Sequence, residues 1–156
     1  MITRLALTQL YVLDQQEALD FYCGILGMEV RSDFDLGFMR WLTIAVPGDP
    51  NEVLLELPVR PYLDDDANQE IRNLVTRGAG GGWLGFDTDD AEKLHAELAS
   101  KGVEVVDPPT KRFYGTDFGI RDPFGNPIRI TERAAIIGDP AEDGTMDPGK
   151  FRGPND

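Results

Sequence analysis

Few residues in this chain have the chemistry to make or break bonds, and their spacing narrows the field further. There is one histidine, His95, and one cysteine, Cys23. A reaction that needs two imidazoles would have to borrow one across a subunit interface. Ser32 and Ser100 have no adjacent histidine to activate them, so a serine nucleophile is not expected. His95 sits beside the apolar positions Leu94 and Leu98 and reads as a helix-flank residue. A lone cysteine forms no internal disulfide and no cysteine-cluster zinc site. Cys23, on the edge of an apolar helix face, reads as structural. Asp64-Asp65-Asp66 lacks the alternating spacing and closing glutamate of a calcium loop and reads as a solvated acidic turn. The run Gly78-Ala79-Gly80-Gly81-Gly82 has no Lys-Ser or Lys-Thr after it, so it reads as a flexible connection instead of a phosphate loop.

Charge removes other classes of partner. Lys and Arg total 15 against 28 Asp and Glu, a formal net charge of −13. Such a surface repels phosphate backbones and no basic stripe offsets it, so nucleic acid and anionic membrane are not expected as partners. A cationic ligand would be drawn in. With 156 residues, 41% hydrophobic and 28% charged, the chain reads as one domain or two small modules sharing a core. No apolar run approaches the roughly 20 residues of a membrane span, and Met1-Ile2-Thr3-Arg4 does not open a signal peptide. The expected location is cytoplasmic.

The elements that would position any site come in a repeated series. Ile2 to Tyr11 reads as a strand. Asp14 is an N-cap with Glu17 three residues on, and Ala18, Phe21, Tyr22 and Ile25 recur at helical spacing up to a stop at Gly27. Strands are expected over 28–34, 39–46 and 53–57. A link from about 61 to 81 follows, with a helix over 67–75. The series then restarts: a strand over 83–88, a cap at Asp89, a helix face of Ala91, Leu94 and Leu98, a stop at Gly102, and a strand over 103–106. Laying 11–30 over 86–105 at a constant offset of 75 matches cap, stop and following strand, which reads as an internal duplication. The second copy closes with a strand over 118–121, a type I turn at Asp122-Pro123-Phe124-Gly125 and a strand over 127–132. Residues 136–156 are Gly/Pro-rich and acidic, and read as a flexible tail or an arm lying over a partner.

The duplication, the segment Asp14-Gln15-Gln16-Glu17-Ala18-Leu19-Asp20-Phe21-Tyr22 running to Leu26-Gly27, and Asp122-Pro123-Phe124-Gly125-Asn126 resemble the vicinal oxygen chelate superfamily. Glyoxalase I, extradiol dioxygenases and bleomycin-resistance proteins belong to it. The resemblance covers about residues 2–132. It implies an α+β fold of two βαβββ modules, each a curved mixed sheet forming a cup. Module one would span about 1–60 and module two about 82–135 within a single domain of 1–135. In small members the sites commonly lie at a homodimer interface, so a homodimer is expected.

Metal-dependent members hold a divalent cation with one side chain from each module's first strand and one from each last strand. Those positions are Leu7 (or Thr8 by the internal repeat), Glu56, Trp83 and Arg129. Only Glu56 is an adequate ligand, so no metal and no cofactor is expected. The same substitutions suggest that Glu56 pairs with Arg129 where the metal would sit. Arg40 and Trp41 alternate faces on one strand, so one of them points into the cup. Trp41, Phe38, Trp83, Tyr114 and Phe118 are candidates for an aromatic lining, with Arg40, Glu56 and Arg129 as polar groups for a small-molecule ligand. Glu56 and Tyr114 are the weak catalytic candidates, as general base and acid–base group. The leading reading is a metal-independent binding protein of the bleomycin-resistance type that sequesters an aromatic or cationic molecule in a dimer cleft. The alternative is an enzyme of the superfamily, a lyase, isomerase or dioxygenase, with a non-standard or metal-free site.

Overall fold

The structure, a computed structural model, describes residues 1–59 and 63–144. The expected boundary at residue 60 and the tail beyond 144 lie outside the described residues. The chain divides into two units, Met1–Trp83 with Arg121–Pro127, and Leu84–Ile120 with the residues from Ile128 onward.

The first unit carries β1 (Leu7–Tyr11), α1 (Gln15–Leu19), β2 (Glu29–Asp35), β3 (Arg40–Ala45), β4 (Glu52–Glu56) and α2 (Asp65–Thr76). Its sheet runs β1-β4-β3-β2, with β1 parallel to β4 and the other pairs antiparallel. The second carries β5 (Leu84–Asp87), α3 (Ala91–Ser100), β6 (Val105–Arg112), β7 (Gly115–Arg121) and β8 (Pro127–Arg133), in the order β5-β8-β7-β6. Two four-stranded mixed sheets of identical topology, each with a helix after its first strand, are the α+β arrangement that the duplication implied. β1 starts at Leu7, not Ile2, because its ladder with β4 begins at Leu7 opposite Glu52. β6 accommodates Pro108 and Pro109 because it is an edge strand, where a missing N–H costs no ladder bond.

The constant offset of 75 fails at one place. Asp14 caps the first helix, its carboxylate accepting the Glu17 N–H at 2.8 Å, but in the second copy the cap is Asp90 and not Asp89, accepting from Lys93 at 2.9 Å. Cap to stop is therefore one residue longer in the first copy. The surplus is absorbed in a π-helical turn over Asp20–Ile25, which continues α1. Buried Gln15, Ala18 and Tyr22 thus correspond to Ala91, Leu94 and Leu98 at an offset of 76. The stops Gly27 (φ 78°) and Gly102 (φ 79°) return to 75, both in the left-handed region that favours glycine.

The Asp122-Pro123-Phe124-Gly125-Asn126 turn, expected to belong with the second module, belongs to the first unit. One oxygen of buried Asp122 accepts the N–H groups of Phe124, Gly125 and Asn126 at 2.8–2.9 Å. The other accepts the Tyr22 hydroxyl and the Asn126 amide, each at 2.8 Å, and Asn126 also donates to the Tyr11 carbonyl at 2.9 Å. This satisfied network clips the turn onto the π-helical turn and β1. Burial, with the Asp122 charge, pushes the Tyr22 hydroxyl well above the ordinary phenol range.

Two loops differ from expectation. Asp64 caps α2 through the Ala67 N–H, and Asp65 and Asp66 occupy its first turn, where carboxylates favour the helix dipole. The acidic run is a helix start. The glycine run is not merely a flexible link. Gly78 (φ 71°) ends α2, and a side chain there would meet the Arg121 guanidinium at 2.1 Å. Residues 138–143, expected in a mobile tail, are tied to the β6–β7 hairpin: Gly138 donates to the Phe113 carbonyl and Phe113 to the Asp143 carboxylate.

Candidate functional site

The register of the first sheet decides which side chains meet. Residues paired across strands point the same way, and neighbours along a strand alternate. The pairs Tyr11 with Glu56, Gln9 with Leu54, Thr43 with Leu54, and Phe34 with Trp41 therefore put Tyr11, Glu56, Trp41 and Phe34 on one face. The opposite face carries Leu10, Leu42, Ile44 and Leu55, all in the core. Of the Arg40-Trp41 pair it is Trp41 that shares a face with Glu56. Phe34 is 59% exposed and Trp41 and Tyr11 are half-buried, so this face offers aromatic surface around a carboxylate. Burial pushes the Glu56 carboxyl above its usual range, and burial with the Glu56 charge raises the Tyr11 hydroxyl. Among the described residues Glu56 has no ion-pair partner.

A cleft of about 260 Å³ opens at the strand ends beside Glu56. The β3–β4 ladder runs through Ile44–Val53 and Thr43–Leu54. Beyond it, Gln15 stands in for the ladder: its amide NH₂ donates to the carbonyls of Leu55 at 2.8 Å and Arg40 at 3.2 Å. Gln15, Glu56, Asp35, Phe38 and Arg40 line the cleft. Arg40 turns two N–H groups onto Asp33, each at 2.8 Å. The Asp35 carboxylate accepts the Gly37 N–H at 2.7 Å and shapes the β2–β3 hairpin.

The second unit solves the same design differently. The guanidinium of Arg129, expected opposite Glu56, is held by aspartates that the sequence reading did not single out. Asp107 accepts from Nη1 at 2.9 and 3.0 Å, and Asp117 accepts from Nε at 3.1 Å and from Nη2. Asp117 also accepts from Arg112 at 2.6 Å and from the Tyr114 hydroxyl at 2.9 Å. Burial alone would raise the Asp117 carboxyl, but the hydrogen bonds from Arg129 and Arg112, with the Arg129 charge, outweigh it and hold it below the usual range. Burial, then the bond to Asp117, raises the Tyr114 hydroxyl. Gly119 makes the Asp107–Arg129 contact possible, since a Cβ there would lie 2.4 Å from the Asp107 carboxylate.

The sequence-derived candidates thus divide. Arg40, Glu56 and Phe38 meet in the cleft, and Trp41 lies on the Glu56 face. Tyr114 and Arg129 belong to the second unit's ion network. Phe118 is fully buried, with its ring packed edge-on against His95 at 5.3 Å, so it is core and offers a ligand no surface. Trp83 is 62% exposed ahead of β5. Gln15, Asp35, Tyr11 and Phe34 were missed. Alternation along β1 and β2 could have flagged the last two, whereas nothing in the local pattern marks a glutamine at the first helical position. Of the four family metal positions, Leu7 and Trp83 carry no donor and Arg129 is itself a bound cation, so a divalent metal does not fit these residues. Among the described residues no group of three or more His, Cys, Asp or Glu is arranged to hold one.

Known proteins share this fold. UcmS2 is 32% identical with a TM-score of 0.78, covering 85% of this chain and 99% of its own. TnmS3, an antibiotic binding protein from Streptomyces sp. CB03234, is 27% identical with a TM-score of 0.66, over 85% of this chain and 98% of its own. YurT of Bacillus subtilis, an uncharacterized protein, is 29% identical over 130 residues, 83% of this chain and 99% of its own length. No helix among the described residues is long and apolar enough to cross a membrane. The family profile spans residues 4–130, both copies of the repeat from the first strand to the last, and on that match the chain belongs to the Glyoxalase/Bleomycin resistance protein/Dioxygenase superfamily.

Proposed function

We propose that this protein is a metal-independent receptor that sequesters an aromatic or cationic small molecule, acting as a cytoplasmic homodimer in which the ligand cleft is completed between copies. The observation that carries the reading is the register of the first sheet, which gathers Tyr11, Trp41 and Phe34 around Glu56 on one face beside an open cleft. Planar and cationic groups are well received by aromatic faces. The net charge of −13 speeds the encounter with a cation. The likeness to TnmS3, an antibiotic binding protein, supports binding as the role. In a thermal-shift and tryptophan-fluorescence screen over antibiotics, quinones and aromatic amines, at least one class raises Tm saturably and is recovered unchanged. Trp41→Ala weakens that binding. A screen in which no class shifts Tm, or in which the ligand returns chemically altered, refutes the proposal. Sedimentation velocity tests the dimer.

One observation favours the enzymatic alternative: a half-buried Glu56 with a raised carboxyl and no described ion partner is suited to a general base. Turnover that disappears in Glu56→Gln while binding persists would establish it.

A further inference from the structure

The polar wall of the cleft is biased toward hydrogen-bond acceptors. Gln15 is only 8% exposed, and its NH₂ is committed to the carbonyls of Leu55 and Arg40, so the amide cannot flip. Gln15 lines the cleft, and its Oε1 accepts no hydrogen bond among the described residues. Glu56 and Asp35, from opposite faces of the sheet, both line the cleft at the strand ends. The cation on this wall, Arg40, is balanced by a two-point bond to Asp33. Phe38, 52% exposed, supplies an apolar flank.

We infer that the cleft takes a cation that carries N–H groups, a primary or secondary ammonium or an amidinium, with its N–H groups directed at Gln15 Oε1, Glu56 and Asp35 and its flat apolar body against Phe38. The inference rests on the reading of this region as the ligand site, and narrows it from aromatic or cationic to a donor-bearing cation. An anion would face two carboxylates and no free matching charge. A quaternary ammonium would satisfy the charges but leave three acceptors without hydrogen bonds. The N–H requirement follows from Gln15, a neutral acceptor that responds to donors more than to charge.

Four probes of matched ring size separate these terms: 1-naphthylmethylammonium, its N,N,N-trimethyl analogue, 1-naphthylmethanol and 1-naphthoate, titrated into the full chain by calorimetry. The expected order is ammonium tighter than the trimethyl analogue and the alcohol by about tenfold each, with naphthoate weakest. Glu56→Gln removes most of the ammonium's advantage over the alcohol, and an unchanged far-UV circular dichroism spectrum with a cooperative urea transition shows that the variant is folded. Asp35→Asn, which keeps an acceptor for the Gly37 N–H, reduces the advantage in part. A trimethyl analogue or a naphthoate that binds as tightly as the ammonium overturns the inference while leaving the ligand site standing. Failure of all four probes to bind overturns the site reading along with it.

Discussion

The two copies of the βαβββ unit share strand order and helix position, yet they treat buried charge in opposite ways. In the second, Asp107 and Asp117 neutralise Arg129 and Arg112, with Tyr114 completing the set. In the first, Glu56 is half-buried with no ion partner among the described residues, and Gln15 ties strand carbonyls where a ladder would run. The second unit has used its polar groups on itself, whereas the first keeps acceptors open to a cleft. Duplication preserves topology because topology is set by apolar alternation and turns. It leaves the polar inventory free to diverge, and the proposed ligand site falls on the copy whose acceptors remain open.

The largest way to break this contrast is to remove the central acceptor of the closed network. Asp117→Ala leaves Arg112, Arg129 and Tyr114 facing a vacated carboxylate site whose side chain was 4% exposed. Breaking a buried pair from one side costs about 3–5 kcal/mol, read from urea unfolding. Glu56→Ala, the same kind of truncation in the first unit, costs no more than about 1 kcal/mol, because no ion partner is stranded. Equal losses at the two sites would remove the distinction.

Next is Gly119→Ala. The added methyl would lie 2.4 Å from Asp107 and 2.9 Å from Arg129, so the pair must separate. The expected loss is about 1–3 kcal/mol, and it shrinks when Asp107 is already Asn, a coupling that a double-mutant cycle measures. Tyr22→Phe probes the device that only the first copy has. The Tyr22 hydroxyl anchors the π-helical turn to Asp122, while the corresponding residue of the second copy is Leu98, with no polar anchor. Removing it costs about 1–2 kcal/mol by urea unfolding, and Leu98→Met, conservative in volume, costs less.

How much of this the sequence displays depends on the range of the interaction. The Asp14 cap, the Gly27 and Gly102 stops and the Asp122–Gly125 turn are local, each dictated by backbone needs within a few residues, and they were legible along with the duplication and its fold. The one-residue surplus of the first helix was hidden because Asp89 and Asp90 are both competent caps and a π-helical turn leaves no sequence mark. The partners of Arg129 were hidden for a related reason. Asp107 lies where the β6–β7 register shifts, so alternation counted along the strand does not reveal which side chains oppose one another. Trp41 was legible as a choice between two faces, and the Thr43–Leu54 pairing puts it on the face of Glu56. Phe118 and Arg129 were placed on a ligand wall by aromatic type and family position; Phe118 is buried in the core, and the Arg129 guanidinium is held by Asp107 and Asp117.

The smallest expected effect sharpens the comparison most, because its pH dependence carries a sign. The Glu56 carboxyl is raised in the folded protein, so in the window between its unfolded and folded values the native state holds the extra proton and stability falls as pH rises. Glu56 thus contributes fully below the ordinary glutamate range, and that contribution is gone once pH passes the folded value. Asp117 is lowered, so its contribution is present above the ordinary aspartate range and is lost as pH falls through the folded value. Glu56→Gln should therefore gain on the wild type as pH rises from about 4 to 7, by about 1 kcal/mol or less given the partial exposure of the group. Asp117→Asn should lose ground as pH rises through the acid region up to the ordinary aspartate range, about pH 4, and hold level above it. Tm measured for both variants and the wild type from about pH 2 to 7 gives two difference curves of opposite slope, the Asp117 one below about pH 4 and the Glu56 one above it. Parallel curves would mean that the carboxylate of the first unit is as well satisfied as that of the second, and the cleft would then have no open charge to offer a ligand.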